Sequence, residues 1–355
     1  MFRVFNVLWG ITVCALVAVP VCAQDAAKLY ERHCAKCHGP AGQRPEAPDP
    51  GNRTAFDFSQ CAVSSAESTM PWEIAVAQGG RAVGLSEDMP AFNDRLTEGE
   101  INALVRYIRR TCVDRGWPNG NLNFSRPIIT EKAFPEDEIV LLPSHTRGNG
   151  QPSESGLAAV FEKRFGKRNN VEIEFPFASF STDAGHVSGL QDLKAAVKHV
   201  FFADRAGTRI VSGGLEVAFP TANDANGLGE GRFRYEPFVV AGFGHALTTV
   251  QAQFAVEFEK VNEDGESEFE REYSYNLFAG RDFGQHPSRW SLGAELNGVN
   301  TSLWITPQVR KGLVRTGALA AAAGVQIPIN NRDANRPAIV GYLIWDYREP
   351  VWRRE

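Results

Sequence analysis

The chain has 355 residues, of which 43% are hydrophobic, 22% charged and 10% aromatic, an ordinary globular composition that excludes a disordered or collagen-like chain. Lys and Arg number 37 against 42 Asp and Glu, a formal charge of −5, so no basic field gathers nucleic acid or anionic lipid, and no nucleic-acid partner is expected. The length suits two domains better than one.

Met1-Phe-Arg-Val-Phe carries one basic residue into an apolar run from Val4 to Val21, and Val21-Cys22-Ala23 precedes the polar start Gln24-Asp25. This pattern predicts a secretory signal peptide over residues 1–23, cleaved after Ala23. A retained membrane helix is the alternative, because the run from Val4 to Cys22 is just long enough to span. A lipidated Cys22 is disfavoured by the bulky Val21 before it. Cleavage removes Cys14 and Cys22 and leaves Cys34, Cys37, Cys61 and Cys112 in an exported, oxidising compartment.

Cys34-Ala-Lys-Cys37-His38 has the spacing that attaches a c-type haem. Two thiols two residues apart reach the two vinyl groups of one porphyrin, and the next residue sets an imidazole under the iron. A redox dithiol or half of a zinc site uses the same two cysteines. A zinc site wants a second ligand pair, whereas Cys61 and Cys112 are far apart in sequence. A thioredoxin-like site wants a preceding strand, whereas Asp25 to His33 reads as a helix. One such motif implies one haem c per chain, with Cys34 and Cys37 covalently attached and His38 as an axial ligand.

For the sixth iron ligand, cleavage leaves the thioethers Met70 and Met89. Met89 lies in Ser86-Glu-Asp-Met89-Pro90, just before a helix signalled by the capping box Thr97-Glu-Gly-Glu100 and by Ile101, Leu104, Val105 and Ile108. Pro90 keeps Met89 out of helical geometry, so its side chain can be held on an extended loop facing the iron. Met70-Pro71-Trp72 reads instead as the start of another helix that walls the haem. His33 is a poor geometric choice and reads as solvated.

The stretch from residue 24 to 117 resembles a small class I cytochrome c. The resemblance rests on the N-terminal helix, Cys34 to Gly42, the Met89-Pro90 loop and a closing helix that ends Tyr107-Ile-Arg-Arg. It implies an all-α domain whose terminal helices cross beside the haem, with Cys34 and Cys37 as thioether attachments, His38 the proximal ligand and Met89 the distal one. His/Met ligation leaves no open iron position, which suits electron transfer over oxygen chemistry. Cys61 and Cys112 depart from the simplest members and are expected to form a structural disulfide.

From 118 to 156 the composition shifts to Pro, Gly, Asn and Ser. Pro118, Pro127, Pro135, Pro143 and Pro152 break any long helix, and the segment is expected to be a linker holding one short strand at Ile139 to Leu142. Ser144 to Gln151 reads as a glycine-rich turn with a solvated His145.

Beyond Leu157 the period becomes two. Thr248, Val250, Ala252, Phe254, Val256 and Phe258 share one face, and Thr249, Gln251, Gln253, Ala255, Glu257 and Glu259 the other. Val171 to Phe177, Phe233 to Val240 and Leu303 to Arg310 alternate likewise. Seven further candidates lie near Leu157–Phe165, Leu193–Ala203, Thr208–Phe219, Phe269–Phe283, Trp290–Gly298, Thr316–Ile327 and Ile339–Arg348. With Ile139–Leu142 these make about 12 strands. Segments this long, separated by turn signals such as Asn262-Glu-Asp-Gly265, are the signature of a transmembrane barrel, since sandwich strands run to about five or six residues. Arg271 and Arg281 share a face with Tyr273, Tyr275 and Leu277, so one end of that strand must leave the apolar band.

Residues 157–355 are thus expected to be an all-β antiparallel domain, and they resemble the outer-membrane β-barrels of Gram-negative bacteria. Phe161-Glu-Lys-Arg-Phe165-Gly-Lys-Arg-Asn169 and Gly227-Leu-Gly-Glu-Gly231 carry the resemblance. The C-terminus departs from it, because Trp352 is followed by Arg353-Arg-Glu355. Tyr342, Trp345 and Tyr347 read equally as an interfacial aromatic girdle and as packed aromatics. The expected function is electron transfer by a haem domain on the periplasmic side, anchored to the outer membrane by the barrel and serving an unidentified periplasmic redox partner. Solute transport through the lumen is a second expectation. A haem-linked enzyme and a soluble binding module are the rivals; the former is weakened because His186, His199, His245 and His286 are scattered.

Overall fold

A computed structural model describes residues 23–40, 42–43, 55–65, 69–148, 153–182, 185–245, 247–263, 266–283, 290–314, 318–332 and 334–347. Apart from Ala23, the expected signal peptide lies outside these residues, as does the stretch from Trp352 to Glu355. No helix among them is long and apolar enough to cross a membrane.

The N-terminal part is helical: α1 (Ala23–His33), α2 (Ala35–His38), α3 (Cys61–Ser64), α4 (Thr69–Gln78) and α5 (Glu98–Ile108). The expected capping box starts α5. Thr97 Oγ1 accepts from the Glu100 amide, and the Glu100 carboxylate accepts from the Thr97 amide at 2.8 Å. Ile101, Leu104, Val105 and Ile108, the residues read as its apolar stripe, are all buried. The terminal helices α1 and α5 pack together, with the Tyr30 and Tyr107 rings 5.5 Å apart. Cys61 and Cys112 are bridged, which ties α3 to the end of the closing helix across 51 residues of sequence. Replacing both cysteines with serine is expected to destabilise this domain by about 2–4 kcal/mol, the usual cost of freeing such a loop, measured by denaturant unfolding.

Thirteen strands follow among the described residues: β1 (Glu138–Thr146), β2 (Glu154–Phe165), β3 (Asn169–Thr182), β4 (Gly185–Leu190), β5 (Leu193–Ala203), β6 (Arg209–Phe219), β7 (Arg234–His245), β8 (Thr248–Glu263), β9 (Glu266–Phe283), β10 (Trp290–Val299), β11 (Ser302–Gly312), β12 (Leu319–Pro328) and β13 (Ala338–Asp346). Neighbours pair antiparallel, and β1 pairs with both β2 and β13, so the sheet closes on itself. Twelve strands form the barrel. The thirteenth, β4, folds back on β3 as a hairpin and was not anticipated from sequence. Barrel strands run from 9 to 18 residues, long enough for a tilted membrane crossing, which takes about 9–11.

The barrel is inside out relative to a soluble sheet. Phe175, Val239, Phe254, Leu292 and Ile339 are 45–61% exposed on the outer face, while Glu162, Ser212, Gln251, Glu295 and Thr306 are at most 1% exposed inside. Polar lumen and apolar exterior are the arrangement of a membrane barrel, and an apolar belt of this extent is not left in water. The suggested girdle splits. Trp345 is outward and 41% exposed, but Tyr342 is 3% exposed and points inward, its hydroxyl donating to the Arg126 carbonyl at 2.7 Å.

The linker expected over 118–156 requires the largest correction. Residues 120–137 thread the lumen as a plug, and Glu138–Thr146 forms a full barrel strand, so the glycine-rich turn cannot begin at Ser144. The Glu295 carboxylate accepts from the amides of Ile128, Ile129 and Thr130 at 2.8, 3.0 and 2.6 Å and from the Thr130 hydroxyl at 2.5 Å. Gln251 donates to the Ser125 carbonyl and Gln253 accepts from the Glu131 amide, both at 2.9 Å. The physical reason is satisfaction of backbone polarity. Pro127 and Pro135 interrupt any long helix or continuous ladder in the segment, and barrel side chains accept from the amides of Ile128 to Glu131 instead.

The helical domain sits at one end of the barrel. Lys167 reaches Asp114 at 2.7 Å, Arg168 donates to the Arg115 and Gly116 carbonyls, and Arg164 donates to the Ser65 carbonyl at 3.1 Å. All the connections at that end are short, spanning 166–168, 204–208, 246–247, 284–289 and 313–318. The opposite end carries the longer connections 147–153, 220–233 and 329–337, the β3–β4 hairpin and the protruding β8–β9 ribbon.

Candidate functional site

Helix α1 closes at His33 and the chain turns at once into Cys34 to His38. Within that turn the Cys37 and His38 amides both donate to the Cys34 carbonyl, at 3.1 and 2.9 Å. Both thiols and the imidazole therefore share one short arc, with Cys34 buried and Cys37 at the surface. The Tyr30 hydroxyl donates to the Gly39 carbonyl at 2.7 Å, pinning α1 to the end of the motif.

The His38 ring is set from two sides. Its Nδ1 is 3.0 Å from the Phe56 carbonyl, and as a donor there it leaves Nε2 as the nitrogen available to a metal. Phe58 stacks on the ring with centroids 4.4 Å apart. Burial holds the imidazole below its ordinary pKa, against the opposing bond to Phe56, which favours the neutral form, the one able to ligate a metal. Burial, reinforced by neighbouring Cys37, pushes the Cys34 thiol up to about 12. A redox-active dithiol needs the opposite, an electropositive setting that lowers the pKa of its thiol.

The surroundings are aromatic. Phe56, Phe58 and Trp72 meet at 5.7–5.9 Å, and they join Tyr30, Phe92, Leu96, Leu104 and Ile108 in one apolar cluster. Met89 packs against this cluster, partly buried. Its loop is bound back to α4: the Gly80 amide donates to the Met89 carbonyl at 3.0 Å, and the Phe92 and Asn93 amides donate to the last carbonyls of α4. Gly79 has φ +84°, and a Cβ there would stand 2.9 Å from the Met89 carbonyl oxygen, so only glycine lets the loop close at this point. Met70 turns away. Its Cε and Sδ lie 3.0 and 3.2 Å from where a Cβ on Gly312 of β11 would stand, placing it at the barrel mouth. His33 packs edge-on to Phe92 at 5.6 Å and is half-buried, not fully solvated as its sequence position suggested.

Two thiols, a neutral imidazole and a thioether beside an aromatic wall form a donor set and pocket that fit a covalent c-type haem. Sequence reasoning singled out these candidate donors and Trp72 but not Phe56 and Phe58. Phe56-Asp-Phe58 is a visible aromatic pair, yet nothing in it signals that the Phe56 carbonyl would orient His38.

Residues 23–111 match the model of the cytochrome c family. No curated protein matches the chain. Among solved structures, the chain is similar to an outer membrane channel from Pseudomonas putida F1, at 15% identity and TM-score 0.44, over 62% of this chain and 99% of that one. It is similar also to the NanC porin, at 9% identity and TM-score 0.40 over 59% and 98% of the two chains. The KdgM porin gives 10% identity and TM-score 0.40 over the same shares.

Proposed function

We propose that the chain, whose residues 23–111 match the cytochrome c family, is an exported electron carrier held at the outer membrane by its own β-barrel. One haem c is attached through Cys34 and Cys37, with His38 and Met89 as axial iron ligands. The observation that carries this reading is the arc from Cys34 to His38, with His38 Nδ1 fixed on Phe56 and Met89 held in the same apolar cluster. When bound, the haem supplies one-electron chemistry at iron. The chain's part is to hold the imidazole neutral and aimed, keep water from the pocket with its aromatic cluster, and leave no ligand position open.

Three features support the location. The apolar exterior suits lipid. Connections of two to six residues at the end that carries the helical domain, and the longer 147–153, 220–233 and 329–337 at the other, support a periplasmic haem domain, by the pattern of short periplasmic turns and longer extracellular loops. Cleavage after Ala23 accounts for export. Cys37 at the surface leaves one attachment point within reach of a soluble redox partner. The plugged lumen argues for an anchor and against an open solute channel.

Fractionating cells with haem staining and spectroscopy on each fraction tests the proposal. Covalent haem is expected only in detergent-extracted outer membrane, resistant to external protease until that membrane is opened. Covalent haem in the soluble periplasm sinks the membrane anchor, and no covalent haem at all overturns the electron-carrier reading.

A further inference from the structure

The plug and the barrel wall together assemble a group of carboxylates far from the haem. Glu131 of the plug, Glu162 of β2 and Glu172 of β3 each bring one oxygen within 4.8 Å of the others. Glu172, Glu174 and Glu216 of β6 form a second such group, further from the helical domain along β3 and β6. Two oxygens on one calcium-sized ion are separated by at most about twice its 2.3–2.6 Å ligand distance, so the first group already has the spread of a coordination shell.

Charge in this region does not close. Arg126 is shared among Glu131, Glu138 and Glu162; Lys198 contacts Glu131 at 2.5 Å and Glu162 at 3.9 Å; Lys194 contacts Glu216 at 3.1 Å. With Glu172 and Glu174, six carboxylates draw on these three cations. Unbalanced charge in a water-poor interior is costly, and either protons or a metal ion must offset it.

A separate observation favours the metal. Asn170, on the same inward face of β3, is 1% exposed, and its Nδ2 donates to Glu162 Oε2 at 2.9 Å. Its Oδ1 has no hydrogen-bond partner among the described residues. The carbonyl oxygen of a side chain bonded to Glu162 is thus buried with no partner; a cation shared with the carboxylates would satisfy it directly, whereas a proton would do so only from a carboxyl group within bonding reach of it.

We propose that Glu131, Glu162, Glu172 and Asn170 Oδ1 hold one hard divalent cation that locks the plug to the barrel wall. An all-oxygen donor set selects the calcium, magnesium and manganese class over zinc or copper. The carboxylates of Glu174 and Glu216 extend the site towards the long-loop end and offer the ion a route in.

The test uses the full-length haem-loaded protein in detergent, stripped with chelator and titrated with Mn2+, free Mn2+ being counted by electron paramagnetic resonance. One Mn2+ per chain is expected, displaced by excess Ca2+. Glu172→Gln should weaken binding at least tenfold with the haem spectrum and heat-modifiable mobility unchanged, and Asn170→Asp, which adds a charge, should tighten it. Should Glu172→Gln fail to fold, the sign of the Asn170→Asp change decides alone. No retained Mn2+ means that protons carry the excess charge and overturns the site, as does binding that neither substitution alters. The haem spectrum is read in the same samples, so failure here is separable from failure of the electron-carrier reading.

Discussion

Glu295→Ala is expected to unfasten the plug and turn a closed barrel into a leaky one. One carboxylate receives three consecutive plug amides and the Thr130 hydroxyl, and it is itself held by Gln308 at 2.6 Å and Asn297 at 3.4 Å. Truncation leaves three amides without an acceptor, and at about 1–3 kcal/mol for each buried unsatisfied group the loss is on the order of 5 kcal/mol. Water entering the lumen recovers part of that, but only by separating plug from wall. Planar-bilayer recording should find the parent protein nearly silent and Glu295→Ala conducting in discrete open steps. Tyr342→Phe, which removes one bond to the Arg126 carbonyl, should cost about 1 kcal/mol and stay silent. An openly conducting parent protein would show that the plug does not seal and would restore solute transport as a function.

The second large effect is expected at Met89. Met89→Ala should keep covalent haem, because Cys34, Cys37 and His38 are untouched. It should lose the ferric sulfur-to-iron absorption band and lower the midpoint potential by on the order of 0.1 V, a modest part of the roughly 0.8 V range that axial ligands command. Met70→Ala should leave both unchanged, since Met70 faces Gly312 at the barrel mouth. Loss of the band in Met70→Ala but not in Met89→Ala would reverse the assignment. His38→Ala is the harsher control: with its imidazole gone, the pocket keeps only the thioether and the covalent bonds.

Much of the proposed haem site was legible because its chemistry is local. Cys34, Cys37 and His38 occupy one helical turn, so their spacing in sequence is their spacing in space. The capping box at Thr97 and Glu100 and the buried stripe of α5 were legible for the same reason. Met89 could be favoured over Met70 through Pro90, but the clamp that holds its loop to α4, and the need for glycine at 79, depend on contacts between separate segments. The bond from His38 to Phe56 crosses 18 residues and has no motif.

For the barrel, the alternation of Gln251, Gln253 and Glu257 with Val250, Phe254 and Phe258 established by itself that β8 has two unlike faces. Period two cannot say which face is inside. A soluble sandwich and a membrane barrel share the pattern with opposite polarity, and the closure of β1 against β13 settles which applies, since it encloses Gln251 and leaves Phe254 47% exposed. The sequence also determined that 118–137 could form no long helix, because Pro118, Pro127 and Pro135 withhold donors and fix φ. Only the tertiary structure decided where that stretch goes. Its amides find acceptors on side chains such as Glu295, 165–167 residues away, and pairings at that separation leave no local trace in the chain.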